Sequence, residues 1–142
     1  VGDAAALGGL MSGIACHGGL TQIGRVLDDA AKAAGEAPVA ALVYVGDAME
    51  EDLDALSHKA GALALRGTRA FMFLEGRDPT AERAFREIAR LTGGVFLPFD
   101  TRAAAELAAL LAAVATYAAG GRAALAASGD GAARRLLADL RP

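Results

Sequence analysis

The sequence predicts an α/β fold, in which a mostly parallel sheet carries helices on both faces. Three runs of apolar residues, at 39–45, 69–74 and 95–98, are continuous rather than alternating. Such runs are typical of strands buried on both faces of a parallel sheet. Segments with helical spacing separate the runs, and this alternation favours βαβ units with right-handed crossovers. With 142 residues, 54% of them hydrophobic and 22% charged, the chain is long and apolar enough to form a globular domain.

The N-terminal part of the chain is predicted to be helical on both sides of a short loop. Residues 3–15 place apolar side chains at helical spacing, interrupted by glycines, and the loop 16–20 follows. Thr21 lies at a natural N-cap position, where its hydroxyl accepts a backbone N–H group of the next helix. That helix continues to Gly35, which ends it.

Two further helices connect the predicted strands. Residues 53–65 place apolar side chains at helical spacing, and the acidic residues just before them complement the helix dipole. Between the second and third strands, Asp78 and Pro79 are typical of the N-cap and the first residue of a helix. This helix ends at 92–94, where a threonine is followed by two glycines.

The C-terminal part of the chain is predicted to be helical. Asp100 is expected to cap a long helix that ends at Gly120-Gly121, and residues 120–142 form a helical tail. A short amphipathic helix in this tail either docks on the domain or remains a detachable segment, and its apolar residues are Leu136, Leu137 and Leu140.

Composition and charge argue against several classes of protein. The net charge of −3 disfavours a nucleic-acid-binding surface. The single cysteine, Cys16, rules out an intramolecular disulfide and favours a reducing compartment, so we expect a cytoplasmic protein. No uninterrupted apolar run reaches the roughly 18 residues of a membrane span. We therefore expect neither nucleic acid nor a membrane as a partner.

One aspartate follows the first predicted strand at the place where α/β proteins bind ligands. Asp47 comes directly after Gly46 and the apolar run 39–45. In open α/β sheets, ligands bind just outside the carboxyl ends of the strands. An aspartate there serves as a metal ligand, as a base, or as the cap of the turn at 48–52.

The loops around Thr21 and Asp47 resemble two loops of the von Willebrand factor A (vWA) family. That family builds a metal-ion-dependent adhesion site from three loops. The second supplies a threonine in a Gly-Gly-Thr setting, and the third supplies an aspartate at the end of the fourth strand. The matching segments here are Gly18-Gly19-Leu20-Thr21 and Val43-Tyr44-Val45-Gly46-Asp47, with Leu20 inserted and Gly46 where the family often has threonine. The resemblance covers residues 1–119 and is closest to an uncharacterised bacterial branch. It implies a three-layer, Rossmann-like fold.

The first loop of the family's site has no counterpart in this chain. No Asp-x-Ser-x-Ser segment occurs, and in the family this signature ends a strand beside the one that holds the Asp47 equivalent. We therefore expect the chain to be the C-terminal portion of a vWA-like domain, recorded without its first strand. Since Mg²⁺ prefers an octahedral shell of oxygen ligands, we expect the ion to bind weakly to Thr21 and Asp47.

The resemblance implies a protein-binding module rather than an enzyme, with no catalytic residues. In the family, the bound cation keeps an open position for a carboxylate of the partner, so we expect an acidic side chain on a protein partner. The face around Thr21 and Asp47 would then include Gly18, Gly19, Gly46 and Glu50.

An enzyme or nucleotide-binding domain is the alternative. Asp47 would act as a Mg²⁺ ligand or a base, and Gly18-Gly19 before a helix would cradle a phosphate. Phosphoryl chemistry also needs a cation near the phosphate. The two lysines, Lys32 and Lys59, both fall in the middle of predicted helices, and no Gly-x-Gly-x-x-Gly or Walker lysine is present.

Three other groups of reactive residues have simpler explanations. Cys16-His17 lacks the further ligands of a zinc site, and Asp54 with His58 is more simply an exposed pair one helical turn apart. The acidic residues at 50–54 are expected to form a solvated first helical turn.

The strand at 39–45 would have an unpaired edge if its neighbour in the vWA arrangement is missing. Unpaired, flat, apolar edges recruit another chain or aggregate. We therefore expect this edge to be covered by an N-terminal segment, by a second copy in a homo-oligomer paired through 39–45, or by the C-terminal segment 122–142.

Overall fold

The structure, a computed structural model, describes residues 22–100, 102 and 104–140 of the chain. The predicted helix at 3–15 and the loop that follows it lie outside these residues. The described elements, in chain order, are α1 (Ile23–Glu36), β1 (Ala41–Gly46), α2 (Leu53–Leu65), β2 (Arg69–Glu75), α3 (Pro79–Thr92), β3 (Val95–Phe99), α4 (Ala104–Ser128) and α5 (Gly131–Asp139).

The three strands form one parallel sheet in the order β1-β2-β3. Val43 pairs with Phe71, and Phe71 pairs in turn with Val95, so the strands are in register across the sheet. Helices α2 and α3 connect successive parallel strands, as βαβ units require. The α/β class with a parallel sheet, predicted from the sequence, is therefore confirmed.

Helices cover both faces of the sheet, and each face has its own apolar core. Side chains alternate along each strand, so successive residues enter opposite cores. The first core joins α1, α2 and α3 to strand residues Leu42, Tyr44, Ala70, Met72, Leu74 and Phe96. The second joins α4 and α5 to strand residues Ala41, Val43, Phe71, Phe73, Val95, Leu97 and Phe99. This double burial explains why the strands are continuous apolar runs rather than alternating ones.

The turn between α3 and β3 brings two backbone segments into close contact. Gly93 ends α3 in the left-handed region at φ 71°, a conformation that favours glycine. A Cβ on the next residue, Gly94, would lie 1.9 Å from the carbonyl oxygen of Ala70. Thr92 completes the junction, because its hydroxyl accepts the N–H of Ala70 at 2.9 Å and donates to the carbonyl of Ile88.

Helix α4 is interrupted where the sequence predicts its end. Gly121 is non-helical, at φ 72° and ψ −166°, so the first helical stretch stops at Gly120-Gly121 as predicted and a second stretch continues to Ser128. Leu110, Val114 and Leu125 from both sides of the kink enter the second core. By length and composition this helix, with a mean hydropathy of 1.4 over its most apolar window, would also qualify as a membrane span. The cytoplasmic location remains a prediction.

The C-terminal segment docks on the domain. Asp130 caps α5 by accepting the N–H of Ala133 at 2.8 Å, and Leu136 and Leu140 are buried in the second core. Arg122 donates to the carbonyl of Leu140 at 3.0 Å, which closes the segment against α4. Of the two arrangements that the sequence allowed for this segment, docking is the one observed.

The outer edge of β1 lies on the side away from β2. Among the described residues, β1 takes its ladder hydrogen bonds from β2, while α4 contacts β1 and α5 contacts α4 and β3. Cover of this edge by an N-terminal segment, by a second copy or by the C-terminal segment 122–142 remains a prediction.

Candidate functional site

The loop after β1 presents two carboxylates to solvent at the carboxyl end of the sheet. Gly46 is the last residue of β1, and both Asp47 and Glu50 are exposed. The alternative role of Asp47 as a helix cap is wrong, because Asp52 caps α2 by accepting the N–H of Ala55 at 3.1 Å. Asp47 thus lies at the end of the strand, as predicted, and does not cap the helix that follows.

Met49 fixes the same loop to the protein interior. Its side chain is 8% exposed and belongs to the core beneath α1, α2 and α3. Its sulfur also accepts the backbone N–H of Glu51 at 3.1 Å. With Met49 pointing inward, the exposed residues Asp47 and Glu50 flank a buried anchor.

Glu51 joins this loop to the first turn of α1. One carboxylate oxygen accepts the N–H of Ile23 at 2.6 Å, and the other accepts the N–H of Gly24 at 2.8 Å. The first N–H groups of a helix have no intrahelical partner, and a carboxylate satisfies them and complements the helix dipole. The expectation that Glu51 belongs to a solvated first helical turn of α2 is therefore wrong.

The start of α1 also differs from the prediction. Gln22 occupies the N-cap position and makes no side-chain cap hydrogen bond, so the cap position does not fall on Thr21. Thr21 itself, with Gly18 and Gly19 of the predicted face, lies outside the described residues. The predicted ligand pair is therefore represented in the structure by Asp47.

Tyr44 is a buried residue of β1 close to the loop that follows this strand. Its ring packs edge-on against Phe85 with ring centroids 5.5 Å apart. Burial, with a smaller effect of the charges of Glu51 and Asp47 in the same direction, raises the pKa of the Tyr44 hydroxyl to about 12. Both carboxylates therefore lie near enough to this hydroxyl to affect its ionisation.

The ring of Tyr44 accounts for the glycine that precedes Asp47. A Cβ at Gly46 would lie 2.8 Å from Cε1 of Tyr44, closer than carbon atoms approach without displacement. In this chain the aromatic ring fills the space that a side chain at position 46 would need. Glycine at position 46 therefore has a steric reason.

Metal-ligating side chains do not cluster in the described part of the chain. Across 22–100, 102 and 104–140, no group of three or more His, Cys, Asp or Glu side chains is arranged to hold a metal ion. Glu51 directs both of its oxygens to α1, and Asp54 and His58 are exposed on α2. Weak binding of Mg²⁺ remains a prediction.

The lysine nearest to the start of α1 is engaged in an ion pair. The ammonium group of Lys59 lies 2.5 Å from a carboxylate oxygen of Asp28, which joins α2 to α1. The other lysine, Lys32, is exposed in the middle of α1. Neither residue is presented as a phosphate-binding cation at the end of β1.

A second concave feature lies on the same edge of the sheet, at the ends of β2 and β3. It is an open cleft of about 350 Å³, lined by Gly76, Arg77, Pro98, Phe99, Asp100 and Glu106. Asp100, the predicted cap, accepts the N–H of Arg102 at 2.8 Å, and α4 begins at Ala104. Glu106 pairs with Arg135 of α5, so the cleft wall is tied to the C-terminal segment.

Sequence reasoning missed the connection made by Glu51. One signal was present: α1 has no acidic residue in its first turn, so a carboxylate from another part of the chain is free to complement its dipole. The pattern does not say which carboxylate this is, because the contact joins residues about 28 positions apart.

The chain matches no protein-family model, no curated protein and no solved structure.

Proposed function

We propose that this chain is a protein-binding module of vWA type, whose ligand face is the carboxyl end of β1 around Asp47 and Glu50. The observation that carries the proposal is that the loop after β1 is held from within and exposes two carboxylates. Met49, Glu51 and Asp52 hold the loop to the rest of the protein, and the side chains of Asp47 and Glu50 are exposed at the carboxyl end of the strand. Exposed polar groups on a loop held from within are suited to recognition, because little conformational entropy is lost on binding.

The chemistry of the partner depends on whether a cation takes part. The vWA resemblance favours an acidic side chain of the partner, which would complete the coordination of Mg²⁺ bound by Asp47 and Thr21. Without the cation, the same carboxylates attract basic side chains by charge complementarity. We propose the cation-dependent acidic contact, and the basic contact is an outcome that the experiment below distinguishes.

An enzyme or nucleotide-binding domain is the weaker proposal. A helix N-terminus binds phosphate through its unpaired N–H groups, but at α1 the N–H groups of Ile23 and Gly24 already donate to Glu51. A phosphate at this position would have to displace a carboxylate of the protein and would meet its negative charge. The pairing of Lys59 with Asp28 leaves this lysine engaged as well.

Immobilised peptide libraries of acidic, basic and neutral composition provide the test. The purified chain is applied in Mg²⁺ or in EDTA, and bound peptides are then measured by calorimetry. We expect acidic peptides to bind in Mg²⁺, and the double variant Asp47→Asn, Glu50→Gln to lose them. Glu36→Gln is the matched control, since Glu36 is an exposed carboxylate at the other end of α1.

Two results would count against the proposal. Equal peptide binding by the wild type and by the double variant would show that the ligand face does not include Asp47 and Glu50. Binding of basic peptides in EDTA would show that this face binds its partner without a cation. A rise in melting temperature with ATP or GTP, abolished by Asp47→Asn, would instead favour the nucleotide-binding alternative.

A further inference from the structure

One side chain connects the loop of the candidate ligand face to the first turn of α1. Glu51 lies in the loop after β1, and its hydrogen bonds reach the N–H groups of Ile23 and Gly24, 28 and 27 residues earlier in the chain. Because both carboxylate oxygens are used, the contact fixes orientation as well as distance. The helix start and the loop are thus held by a two-point contact.

Both ends of this connection are anchored in the interior. On the helix side, the side chain of Ile23 is 1% exposed and lies in the first core. On the loop side, the neighbouring Met49 is buried, and its sulfur accepts the N–H of Glu51. The carboxylate therefore bridges two segments that are each held by a buried side chain.

The backbone of α1 has a gap in which the carboxylate fits. A Cβ at Gly24 would lie 3.1 Å from an oxygen of Glu51 and 3.4 Å from Cδ2 of Leu56. A side chain at this position would push the carboxylate away from the helix start. Gly24 is itself buried, so the contact takes place within the α1–α2 interface.

We propose that Glu51 is the positioning residue of the ligand face, holding the first turn of α1 beside the loop that carries Asp47 and Glu50. The proposal rests on the proposed function, because it assigns to Glu51 the assembly of that same face.

Amide hydrogen exchange and ¹⁵N relaxation test the connection without any ligand. The N–H groups of Ile23 and Gly24 are the first of α1 and donate to Glu51, so their protection reports on this contact. In Glu51→Ala, we expect their exchange to accelerate about tenfold or more. Order parameters of Asp47 and Glu50 should fall together with those of Ile23 and Gly24, from about 0.85 to below about 0.6.

Asp52→Ala is the matched control. It removes a neighbouring carboxylate that caps α2, and it should destabilise the protein without loosening the start of α1. Glu51→Gln retains one oxygen acceptor and should give intermediate exchange. Unchanged exchange at Ile23 and Gly24 in Glu51→Ala, or loosening of α1 while Asp47 stays rigid, would overturn the proposal.

Binding of the acidic peptides described above distinguishes a positioning role of Glu51 from a general contribution to the stability of the protein. Glu51→Ala should weaken binding about tenfold or more, while Asp52→Ala, at a similar loss of melting temperature, should retain it. Equal weakening by the two variants would reduce Glu51 to a structural role. If no peptide binds the wild type, the proposed function fails. The exchange and relaxation measurements still decide whether Glu51 couples the loop after β1 to the first turn of α1.

Discussion

The alkaline limb of the stability curve should depend on Tyr44. In the folded chain, burial and the charges of Glu51 and Asp47 raise the pKa of this hydroxyl from 10.0 to about 12. In the unfolded chain, the hydroxyl is free in water and ionises at its ordinary pKa. Raising the pH therefore ionises the unfolded state first and draws the equilibrium toward it.

The sign and size of the effect follow from this difference in pKa. Below pH 10 both states bind the proton, and Tyr44 makes no pH-dependent contribution. Between pH 10 and about pH 12 the folded state binds more protons than the unfolded state, so the free energy of unfolding falls as pH rises. A tenfold difference in proton affinity corresponds to about 1.4 kcal/mol, so the full loss is roughly 3 kcal/mol.

Urea unfolding monitored by circular dichroism measures the loss, at about pH 9 and about pH 11.5. Tyr44→Phe is the reference, because it retains the ring that packs on Phe85 and removes the titrating hydroxyl. The wild type should lose about 2 kcal/mol more than Tyr44→Phe between these pH values. In a Tyr117→Phe background, which leaves Tyr44 as the single tyrosine, the phenolate absorbance reports its pKa directly.

Two further variants test whether the loop carboxylates lie where the structure places them. Glu51→Gln should lower the pKa of Tyr44 more than Asp47→Asn does, since Glu51 has the larger electrostatic effect. An identical pH dependence in the wild type and in Tyr44→Phe would refute the reasoning. So would a phenolate that forms near pH 10 in the folded protein.

Three other predictions concern the packing of the fold and the candidate site. Gly94→Ala should cost at least about 3 kcal/mol in urea unfolding, because a Cβ at this position would lie 1.9 Å from the carbonyl oxygen of Ala70; a change below about 1 kcal/mol would show that the turn adjusts. Thr92→Val should cost about 1–3 kcal/mol by leaving the buried N–H of Ala70 unpaired. Thr116 makes a solvent-exposed bond to the carbonyl of Ala112 within α4, and changed in the same way it should show almost no effect in the same assay. Calorimetry with Mg²⁺ should give weak binding, and sub-micromolar affinity that disappears in Asp47→Ala would mean that other residues complete the ligand shell.

Local sequence signals located most elements of the fold. Residues 53–65, Asp78 with Pro79, and the apolar runs gave the helices and strands with ends close to those observed. The first strand begins at Ala41 rather than at 39. The carbonyl of Val39 accepts a hydrogen bond from the side-chain hydroxyl of Thr68 at 2.6 Å, and the first backbone bond to β2 is the one from the N–H of Arg69 to the carbonyl of Ala40 at 3.2 Å.

The site was predictable in part. The position of Asp47 at the end of β1 follows from the apolar run before it, since α/β topology brings such residues to the carboxyl edge. Its exposure and that of Glu50 could not be read from the pattern, because a helix cap and a solvent-facing carboxylate look alike in sequence. The structure distinguished them by assigning the cap to Asp52.

The sequence by itself determined the fold class and the order of helices and strands along the chain, because helix caps, glycine stops and apolar periodicity act between residues close in sequence. Tertiary structure decided which distant groups meet. It directed Glu51 to the start of α1, seated Tyr44 against Gly46, and docked Leu136 beside α4. Each of these contacts joins groups that only packing brings together. In the case of Glu51, several neighbouring carboxylates are equally able, by their sequence, to bind the start of α1. The physical reason is that local propensity fixes what a residue can do, whereas the path of the backbone in three dimensions fixes which residue is near enough to do it.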